Sequence, residues 1–374
     1  MQYYNRNLKQ FLSFDIFEII VVKPCKIRFL SLPLNEIQLK LMEILVTGAA
    51  GFIGSHLAEK LRKMGHTVIG LDSFSAYYDV KLKRKNAERL RSFGIPVIEQ
   101  DLCVDFLATI LPDTFDYIFH CAAQPGIASK STFKGYLDNN IIATHHLCHF
   151  AQQHLNLKLF INIGTSSIYG SDVFCDEEQM AKPISNYGVT KLAAEQIALS
   201  HSRLEDFPAC SLRLYSVYGS RERPDKMFSQ LIDCALNDKK FPLFKGSLAH
   251  KRSFTHINDI IGGIVSVMGK EEKCDGQIIN LGSNKEYTTA QGVHTVEKLL
   301  NKKIEFNEQS ARSGDQLRTK AVIDKAIRLL HYKPAISLEE GLREQIKWFK
   351  ETQNRSIPKK VLSGFQTNQS IMKN

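Results

Sequence analysis

The sequence lacks the segments that would place the chain in a membrane or a secretory pathway. Residues 1–41 contain one short apolar run, Phe17 to Val22, which Lys23 and Pro24 interrupt. A helix that crosses a bilayer needs about 20 apolar residues, so neither an anchor nor a signal peptide is predicted there. Repeats and low-complexity stretches are absent too, and 43% hydrophobic and 24% charged residues are typical of a globular chain. We expect a cytoplasmic protein with no membrane partner.

Disulfide and metal-binding patterns are also missing. The eight cysteines form no C-x-x-C pair and no metal-ligand spacing; they lie at positions 25, 103, 121, 148, 175, 210, 234 and 274. Most fall in apolar runs, which predicts reduced and buried thiols. His145 and His149 have the i, i+4 spacing of a metal pair, but no acidic residue or second motif completes a site. We interpret them as partly buried helix histidines and expect no metal.

The net charge of +10 is not arranged as a basic stripe with interleaved aromatic residues. Residues 1–41 hold six Lys/Arg against three Asp/Glu, and residues 352–374 hold four against none, so these termini supply seven of the ten charges. The rest of the chain is nearly neutral, which argues against a nucleic-acid partner. Met42 directly precedes the first predicted strand. We therefore interpret residues 1–41 as an extension that is disordered or not native, and residues 351–374 as a basic tail.

Short apolar runs alternate with amphipathic stretches from Met42 onward, which predicts an α/β fold whose parallel sheet has helices on both faces. A helix is predicted from Gly54 to Met64 and a closing amphipathic helix from Leu338 to Trp348. The predicted strands are Ile44 to Thr47, Thr67 to Leu71, Val97 to Glu99, Tyr117 to His120, Leu159 to Ile163 and Ala209 to Leu214.

A chain of 374 residues exceeds what one hydrophobic core usually spans, so we expect a smaller second lobe. The alternation loosens past Gly219, where prolines and glycines accumulate. The predicted division is a nucleotide-binding domain at 42–218, to which 257–310 partly return, and a smaller C-terminal α/β substrate lobe formed by 219–256 and 311–350.

A glycine-rich turn, Gly48-Ala-Ala-Gly51-Phe-Ile-Gly54, joins the first predicted strand to its helix. Gly48 permits the tight turn, Gly51 lets backbone amides approach a pyrophosphate, and Gly54 lets helix and sheet pack closely. Asp72 ends the second strand 18 residues after Gly54, where a carboxylate can bind the adenosine ribose hydroxyls. Because that carboxylate would repel a 2′-phosphate, NAD is favoured over NADP.

The G-x-x-G-x-x-G spacing resembles that of the extended short-chain dehydrogenase/reductase family, and the resemblance runs from Met42 to about Lys350. It implies a doubly wound Rossmann-type sheet and an NAD-dependent enzyme, which we expect to be a homodimer. The cofactor-binding residues that it implies are Gly48, Gly51, Phe52, Ile53, Gly54, Asp72, Asp101, Leu102, Ala122, Ala123, Asn139, Tyr187 and Lys191.

Tyr187 and Lys191 are four residues apart, which places them on one face of a helix. The hydroxyl cluster from Thr165 to Tyr169 begins 22 residues before Tyr187, directly after a predicted strand. In the family that this chain resembles, such a Thr, Tyr and Lys converge beside the nicotinamide. The resemblance therefore implies that Tyr187 removes the proton of a sugar hydroxyl, that Thr165 hydrogen-bonds the same oxygen, and that Lys191 favours the phenolate and holds the nicotinamide ribose.

The two residues after the catalytic hydroxyl distinguish related enzymes. Sugar 4,6-dehydratases carry Asp-Glu there and UDP-glucuronate decarboxylases carry Ser-Glu, whereas this chain has Ser166 and Ser167. Without an extra acid, elimination lacks its general acid, and return of the hydride to the opposite face is favoured. The reaction predicted from this difference is epimerisation at C4 of a nucleotide sugar through a transient 4-keto sugar.

The segments Tyr215 to Asp225 and Asp72 to Asp79 resemble those of UDP-glucuronate 4-epimerases. The resemblance implies a UDP-sugar substrate whose carboxylate and UDP group contact Ser166, Ser167, Ser216, Arg223, Arg252, Arg312 and Asp315. Ala128 stands where those epimerases usually have an arginine, so UDP-glucose or a UDP-N-acetylhexosamine stays open as the substrate. The sequence also leaves open a decarboxylase, dehydratase or reductase on the same scaffold, and a non-catalytic NAD-binding regulator.

Overall fold

The computed structural model describes residues 41–104, 106–126, 131–311 and 314–354, with side chains up to 352. The predicted N-terminal extension up to residue 40, the tail from residue 355 onward, Ala128 and Arg312 lie outside the described residues. No helix in the described part of the chain is long and apolar enough to cross a membrane.

Fifteen strands are found in the described residues: β1 Glu43–Thr47, β2 Thr67–Asp72, β3 Val97–Glu99, β4 Tyr117–His120, β5 Leu159–Thr165, β6 Asp172–Cys175, β7 Ala209–Leu214, β8 Val217–Tyr218, β9 Phe241–Phe244, β10 Lys251–Arg252, β11 Thr255–His256, β12 Ile278–Leu281, β13 Tyr287–Thr288, β14 Phe306–Gln309 and β15 Arg318–Ala321.

The α-helices of the same residues are α1 Phe52–Lys63, α2 Val80–Ser92, α3 Phe133–Tyr136, α4 Ala143–Ala151, α5 Asn186–Leu204, α6 Met227–Leu236, α7 Ile257–Val265, α8 Glu271–Cys274, α9 Thr289–Leu300, α10 Asp324–Leu330 and α11 Leu338–Asn354. A π-helical turn, Leu137–Ile142, joins α3 to α4. Short 3₁₀ turns lie at Leu107–Thr109, Ser166–Ile168 and Ser247–Ala249.

Seven parallel strands form the central sheet in the order β12-β7-β5-β4-β1-β2-β3. The order reverses between β1 and β4, and dinucleotides bind at such a switch point, outside the carboxyl ends of the strands. The Rossmann-type doubly wound fold class is thereby confirmed. The predicted strands coincide with β1 to β5 and β7 to within two residues at each end, and the closing helix runs six residues further than expected.

Alternating side chains of the central strands enter two separate cores. Ile44 and Val46 of β1 pack in one apolar cluster, with residues of α1 and α7. Leu45 between them packs in the other, with residues of α4 and α5. Successive strand residues point to opposite faces, so a sheet buried on both sides reads as a continuous apolar run. Each buried leucine stabilises the folded state by roughly 2 kcal/mol, because its side chain is removed from water.

Segments beyond Gly219 build a third apolar cluster, formed mainly by α6, α9, α11 and β9. Strands β10 and β15 also lie in these segments and form a mixed four-stranded sheet with β13 and β6. The elements α6, β9, β10, β15 and most of α11 lie in the segments for which the sequence predicts a second lobe, whereas α9 and β13 lie in 257–310, which were expected to return partly to the nucleotide-binding domain. The exact division into domains stays a prediction.

Candidate active site at the carboxyl ends of the parallel strands

The glycine-rich turn closes tightly between β1 and α1. Gly48 has a φ of 65°, and a Cβ atom there would lie 2.8 Å from the backbone nitrogen of Ala122. A Cβ atom on Gly54 would lie 2.2 Å from the carbonyl oxygen of Gly48. Side chains at these two positions would therefore push the turn apart. Phe52 and Ile53 are half-buried in the first turn of the helix.

The start of α1 suits a pyrophosphate. Gly51 occupies the N-cap, where no side chain caps the helix, and the first turn has no acidic residue. The first amides of a helix point outward and carry partial positive charge, so they can bind a phosphate. The residues present therefore fit a dinucleotide.

Asp72 is buried at the end of β2 and connects the glycine turn to the next loop. Its carboxylate accepts hydrogen bonds from the backbone amides of Ala50 at 3.0 Å and Phe74 at 2.8 Å, and Lys83 Nζ lies 3.9 Å away. Asn86, which sequence analysis did not single out, donates from α2 to the Ala50 carbonyl at 2.9 Å. The carboxylate thus lies beside the turn, where the adenosine ribose is expected.

Replacement of Asp72 by alanine should weaken NAD binding by about tenfold and reduce the preference for NAD over NADP, because hydrogen bonds to a charged acceptor are worth about 1.5–3 kcal/mol. Isothermal titration of both nucleotides measures this. Asp79→Ala is the matched control, since the Asp79 carboxylate also accepts from a backbone amide, that of Lys81 at 2.9 Å, but caps α2 outside the turn. Unchanged NAD affinity in Asp72→Ala, or a wild type that prefers NADP, would contradict the assignment.

A buried hydrogen-bonded chain joins the ends of β1 and β4 to the π-helical turn. Thr144 donates to the Asn140 carbonyl at 2.6 Å, so its oxygen accepts from His120 Nε2 at 3.0 Å. His120 Nδ1 then accepts from Thr47 at 2.9 Å, and Thr47 accepts from the Ala122 amide at 3.2 Å. Burial, and secondarily the charge of Lys191, lower the pKa of His120 to about 3. His120 is therefore neutral and holds the strand ends together.

The contact of Asn139 with the cofactor stays a prediction, and the neighbouring Asn140 makes contacts that sequence analysis did not foresee. The Asn139 amide donates to the Gly135 carbonyl one turn earlier in the same helical segment. The neighbouring Asn140 is the residue that contacts the loop after β4, because its side chain accepts from the Gln124 amide at 2.8 Å and donates to Thr190 of α5 at 3.0 Å. The π-helical turn, a feature often found at functional sites, orients it there.

The other predicted cofactor contacts lie at strand ends. Ala122 and Ala123 are half-buried directly after β4, and Leu102 is buried after β3. Asp101 is exposed, and its carboxylate accepts from the Cys103 amide at 2.9 Å. All of these positions follow strands that end on the same edge of the sheet; their contacts with a cofactor stay predictions.

Tyr187 and Thr165 meet although they are far apart in the chain. Ser185 caps α5, so Tyr187 lies in its first turn, and the Tyr187 hydroxyl lies beside Thr165 at the end of β5. Burial raises the pKa of Tyr187 above its ordinary value, while the Thr165 side chain and the charge of Arg223 act in the opposite direction. The ring of Tyr136 lies 6.3 Å from that of Tyr187, between centroids.

Lys191 is 3% exposed, one helical turn beyond Tyr187. Burial lowers its pKa to about 8, and the neighbouring Cys121 and Glu195 partly counter this effect. Glu195, a further turn along α5, forms a buried bidentate pair with Arg213 of β7 at 2.9 and 2.6 Å. Arg213 also donates to the Tyr169 hydroxyl at 2.6 Å. These bonds fix α5 against the sheet beneath the candidate catalytic residues.

Arg223 lies at the same end of the site as Tyr187. A Cβ atom on Gly126 would be 3.2 Å from Arg223 Nη2, and the guanidinium lies over the ring of Tyr77 at 5.5 Å. Arg223 Nε and Nη2 each donate to Asp225 at 2.9 Å, which engages two of its three nitrogens.

The three predicted serines occupy neighbouring strand ends. Ser166 and Ser167 follow β5, and Thr165 pairs in register with Leu214 of β7, two residues before Ser216. Ser166 is buried, whereas Ser167 and Ser216 are half-buried. Thr165 donates to Ser167 Oγ at 3.3 Å, so this serine belongs to the same hydrogen-bonded group.

Arg252 and Asp315 form a second cluster, where Arg252 Nη2 lies 3.6 Å from the Asp315 carboxylate and also donates to the Gln316 carbonyl. Asp315 lines an adjacent cavity of about 470 Å³ together with Phe244 and His250. Lys245 also lines this cavity, and an aromatic and a cationic side chain there, with Arg252 beside Asp315, suit a nucleotide. Arg312, predicted to act with them, lies outside the described residues.

The histidine cluster of α4 does not form a metal centre within the described residues, where no group of three or more His, Cys, Asp or Glu side chains could hold an ion. His146 Nδ1 lies 3.2 Å from the Leu102 carbonyl, and the rings of His145 and His146 are 5.9 Å apart between centroids. These contacts are those of ordinary helix packing.

A doubly wound sheet with a glycine turn, a buried strand-end aspartate and a Tyr–Lys pair on one helix defines a dinucleotide-dependent enzyme. The model of the NAD dependent epimerase/dehydratase family matches residues 44–282, and the chain belongs to this family. It is an NAD-dependent enzyme, and the predicted epimerase class is confirmed.

Two curated relatives illustrate the likeness. The chain is 37% identical over 310 residues to the uncharacterized UDP-glucose epimerase YtcB of Bacillus subtilis, which covers 82% of this chain and 97% of that relative. It is 33% identical over 330 residues to UDP-glucuronate 4-epimerase 5 of Arabidopsis thaliana, covering 82% of this chain and 75% of the relative.

The crystal structure of the UDP-glucuronic acid 4-epimerase of Bacillus cereus, in complex with UDP-glucuronic acid and NAD, is also similar. It matches with a TM-score of 0.79 and 35% identity, over 83% of this chain and 100% of that one.

Proposed function

We propose that this protein is a UDP-glucuronate 4-epimerase. The observation that carries the proposal is the position of Arg223 near the Tyr187–Thr165 pair. Arg223 Nη2 lies 3.2 Å from where a Cβ atom of Gly126 would be, and Tyr136, whose ring lies 6.3 Å from that of Tyr187, donates to the Gly126 carbonyl. A cation at that end of the site suits a sugar that carries a carboxylate near the reacting carbon. The names of the Arabidopsis thaliana relative and the Bacillus cereus structure support the same substrate.

In the proposed mechanism Tyr187 removes the proton from the sugar O4 hydroxyl, and Thr165 donates a hydrogen bond to the same oxygen as its charge develops. Lys191, charged at neutral pH, stabilises the phenolate and binds the nicotinamide ribose. NAD, when bound, would supply the hydride chemistry at C4 of the sugar. The transient 4-keto sugar would turn so that its opposite face receives the hydride, and Tyr187 then gives its proton back to O4, which completes the inversion.

The residues around the reacting carbon favour inversion over elimination. Ser166 and Ser167 replace the acids that a dehydratase would use, so the transient 4-keto sugar lacks a general acid to expel a leaving group. A 4-keto uronic acid is also prone to lose carbon dioxide. Ser166, Ser167, Ser216 and Arg223 would hold the carboxylate away from the geometry that favours cleavage.

The direct test is to incubate the purified protein with UDP-glucuronate, UDP-glucose and UDP-N-acetylhexosamines and to follow each by NMR. The proposal requires the C4 epimer of UDP-glucuronate as product without net formation of NADH, since an epimerase regenerates its cofactor. A pentose product with carbon dioxide would identify a decarboxylase, and steady consumption of NADH a reductase. No turnover of any nucleotide sugar, with NAD bound, would favour the regulator.

Arg223→Ala should lower kcat/KM for UDP-glucuronate by about ten- to a hundredfold, because the lost hydrogen bond to the sugar carboxylate is worth about 1.5–3 kcal/mol. The kcat/KM for a neutral UDP-hexose should stay unchanged. Kinetics on both substrates measure the difference. Arg252→Ala is the matched control and should impair both substrates equally, since its proposed partner is the UDP group. Equal losses on both sugars in Arg223→Ala would mean that Arg223 binds the nucleotide instead.

UDP-glucose is the second candidate substrate. The Asp225 carboxylate already engages Arg223 Nε and Nη2, so the guanidinium is partly neutralised before any substrate binds. The name of the Bacillus subtilis relative points the same way. If the wild type epimerises UDP-glucose and leaves UDP-glucuronate unchanged, then Ala128, in place of the usual arginine, predicts the substrate better than Arg223 does.

The remaining parts of the proposal concern the protein's surroundings. We propose a homodimer that acts in the cytoplasm and binds no nucleic acid, supported by Val189 and Leu204, which are 47% and 82% exposed on α5, and by the nearly neutral charge of the chain between its termini. Light scattering measures the mass in solution, and a gel-shift assay at low salt tests nucleic-acid binding.

A further inference from the structure

Three consecutive charged residues, Arg221, Glu222 and Arg223, bind three different parts of the molecule. Arg221 donates to Glu59 of α1 at 2.6 Å. Glu222 accepts from the Ser229 amide and hydroxyl of α6 at 3.2 and 3.1 Å, and from Gln345 of α11 at 2.7 Å. Arg223 alone reaches the candidate sugar site.

The contact between Arg221 and Glu59 is buried, with side chains 10% and 6% exposed. Arg221 also has a φ of 64°, a left-handed conformation that is unfavourable for a residue with a side chain. Such a conformation persists only where surrounding contacts hold it, and the ion pair is the contact that its side chain makes. The backbone of the segment therefore depends on an anchor in the cofactor-binding helix.

We propose that Arg221 is a positioning residue, which through Glu59 of α1 holds the 219–225 segment so that Arg223 faces the substrate. This inference rests on the proposed function of the site. The helix that would bind the cofactor pyrophosphate at its first turn thereby also fixes, one turn later, the segment that would bind the sugar.

Glu59 has a second partner that provides a matched control. Arg89 of α2 donates to it through Nε at 2.7 Å and Nη2 at 3.1 Å, and its side chain is 53% exposed. Burial alone would raise the pKa of Glu59, but Arg89 and Arg221 together lower it. Loss of either arginine leaves Glu59 paired with the other, so neither variant creates an unpaired buried carboxylate. The Arg221 and Arg89 variants differ because only Arg221 belongs to the 219–225 segment that carries Arg223.

The experiment compares Arg221→Ala, Arg89→Ala, Glu59→Gln and Arg221→Lys as NAD-loaded enzymes. Arg221→Ala should raise KM for the UDP-sugar about tenfold, with kcat within about threefold and the Kd for NAD within about twofold, because the chemistry and the cofactor turn are untouched. Glu59→Gln should share this pattern, and Arg221→Lys should recover part of the loss. Arg89→Ala should leave KM within about twofold.

Direct binding gives a readout independent of turnover. The Kd of UDP-glucuronate for NAD-loaded Tyr187→Phe should rise about tenfold when Arg221→Ala is added. An unchanged Kd, or an equal rise with Arg89→Ala, would overturn the positioning role. If the wild type does not epimerise UDP-glucuronate, the proposed function fails separately. The Kd of UDP-glucuronate then still tests the positioning role, with the Kd of UDP, which Arg223 should not affect, as the control. If Arg221→Ala does not fold, the same Kd measurements on Arg221→Lys and Glu59→Gln test the positioning role.

Discussion

Replacement of Tyr187 by phenylalanine should reduce turnover on the order of 10³-fold while NAD remains bound, because only the group that transfers the proton is lost. The hydroxyl lies beside Thr165, and burial raises the pKa of Tyr187, so the phenol is protonated in the structure as it stands. A phenyl ring of the same size leaves the packing of α5 unchanged. Steady-state kinetics give the loss, and titration with NAD gives the cofactor affinity.

Tyr136→Phe provides the control for that experiment. Its ring lies 6.3 Å from that of Tyr187, but its hydroxyl donates to the Gly126 carbonyl at 2.7 Å and has no proposed part in proton transfer. We expect a loss of about tenfold or less from one neutral hydrogen bond. Near-normal turnover in Tyr187→Phe, or equal losses in the two variants, would remove Tyr187 from the mechanism.

Lys191→Met should also reduce turnover on the order of 10³-fold, since the phenolate then loses its neighbouring cation. The same change should stabilise the cofactor-free protein. Burial lowers the pKa of Lys191 from 10.5 to about 8. That shift means that the buried ammonium costs on the order of 3 kcal/mol at pH 7. Methionine has a similar shape and no charge to desolvate.

The pH dependence of this stabilisation has a definite sign. Between about pH 8 and 10.5 the unfolded wild type binds more protons at this position than the folded one, so this lysine makes stability rise with pH across that window. The stability advantage of Lys191→Met should therefore shrink towards zero over the same range. Urea unfolding at pH 7, 9 and 10.5 measures it, with the exposed Lys347→Met as control. A constant difference would show that Lys191 is not destabilised by burial.

Local sequence patterns are sufficient to predict those parts of the site that are continuous in sequence. The glycine turn, Asp72 and the helix with Tyr187 and Lys191 are set by spacing and by strand–turn–helix order, and the structure places them as expected. The family resemblance assigns Asn139, and sequence analysis does not single out Asn140, which contacts the loop after β4. The reason is the π-helical turn, which adds a residue to the helical repeat and shifts which side chain faces the sheet.

Arg221 and Glu59 carry no signal in the sequence. They are separated by 162 positions, and each taken alone resembles a surface charge. Sequence reasoning misses Thr47, His120 and Thr144 for the same reason, because their hydrogen bonds join elements that become neighbours only when the sheet forms.

The sequence by itself determined the fold class and the cofactor turn, because these depend on periodicity and short spacings that local backbone geometry enforces; the proposed catalytic residues follow from the family resemblance. Only the tertiary structure decided which residues meet across the sheet: Thr165 with Tyr187, Arg223 with Asp225 near Gly126, and Arg221 with Glu59. Contacts between distant segments depend on how strands pair and helices pack, and the burial that shifts the pKa values of Tyr187 and Lys191 arises only there.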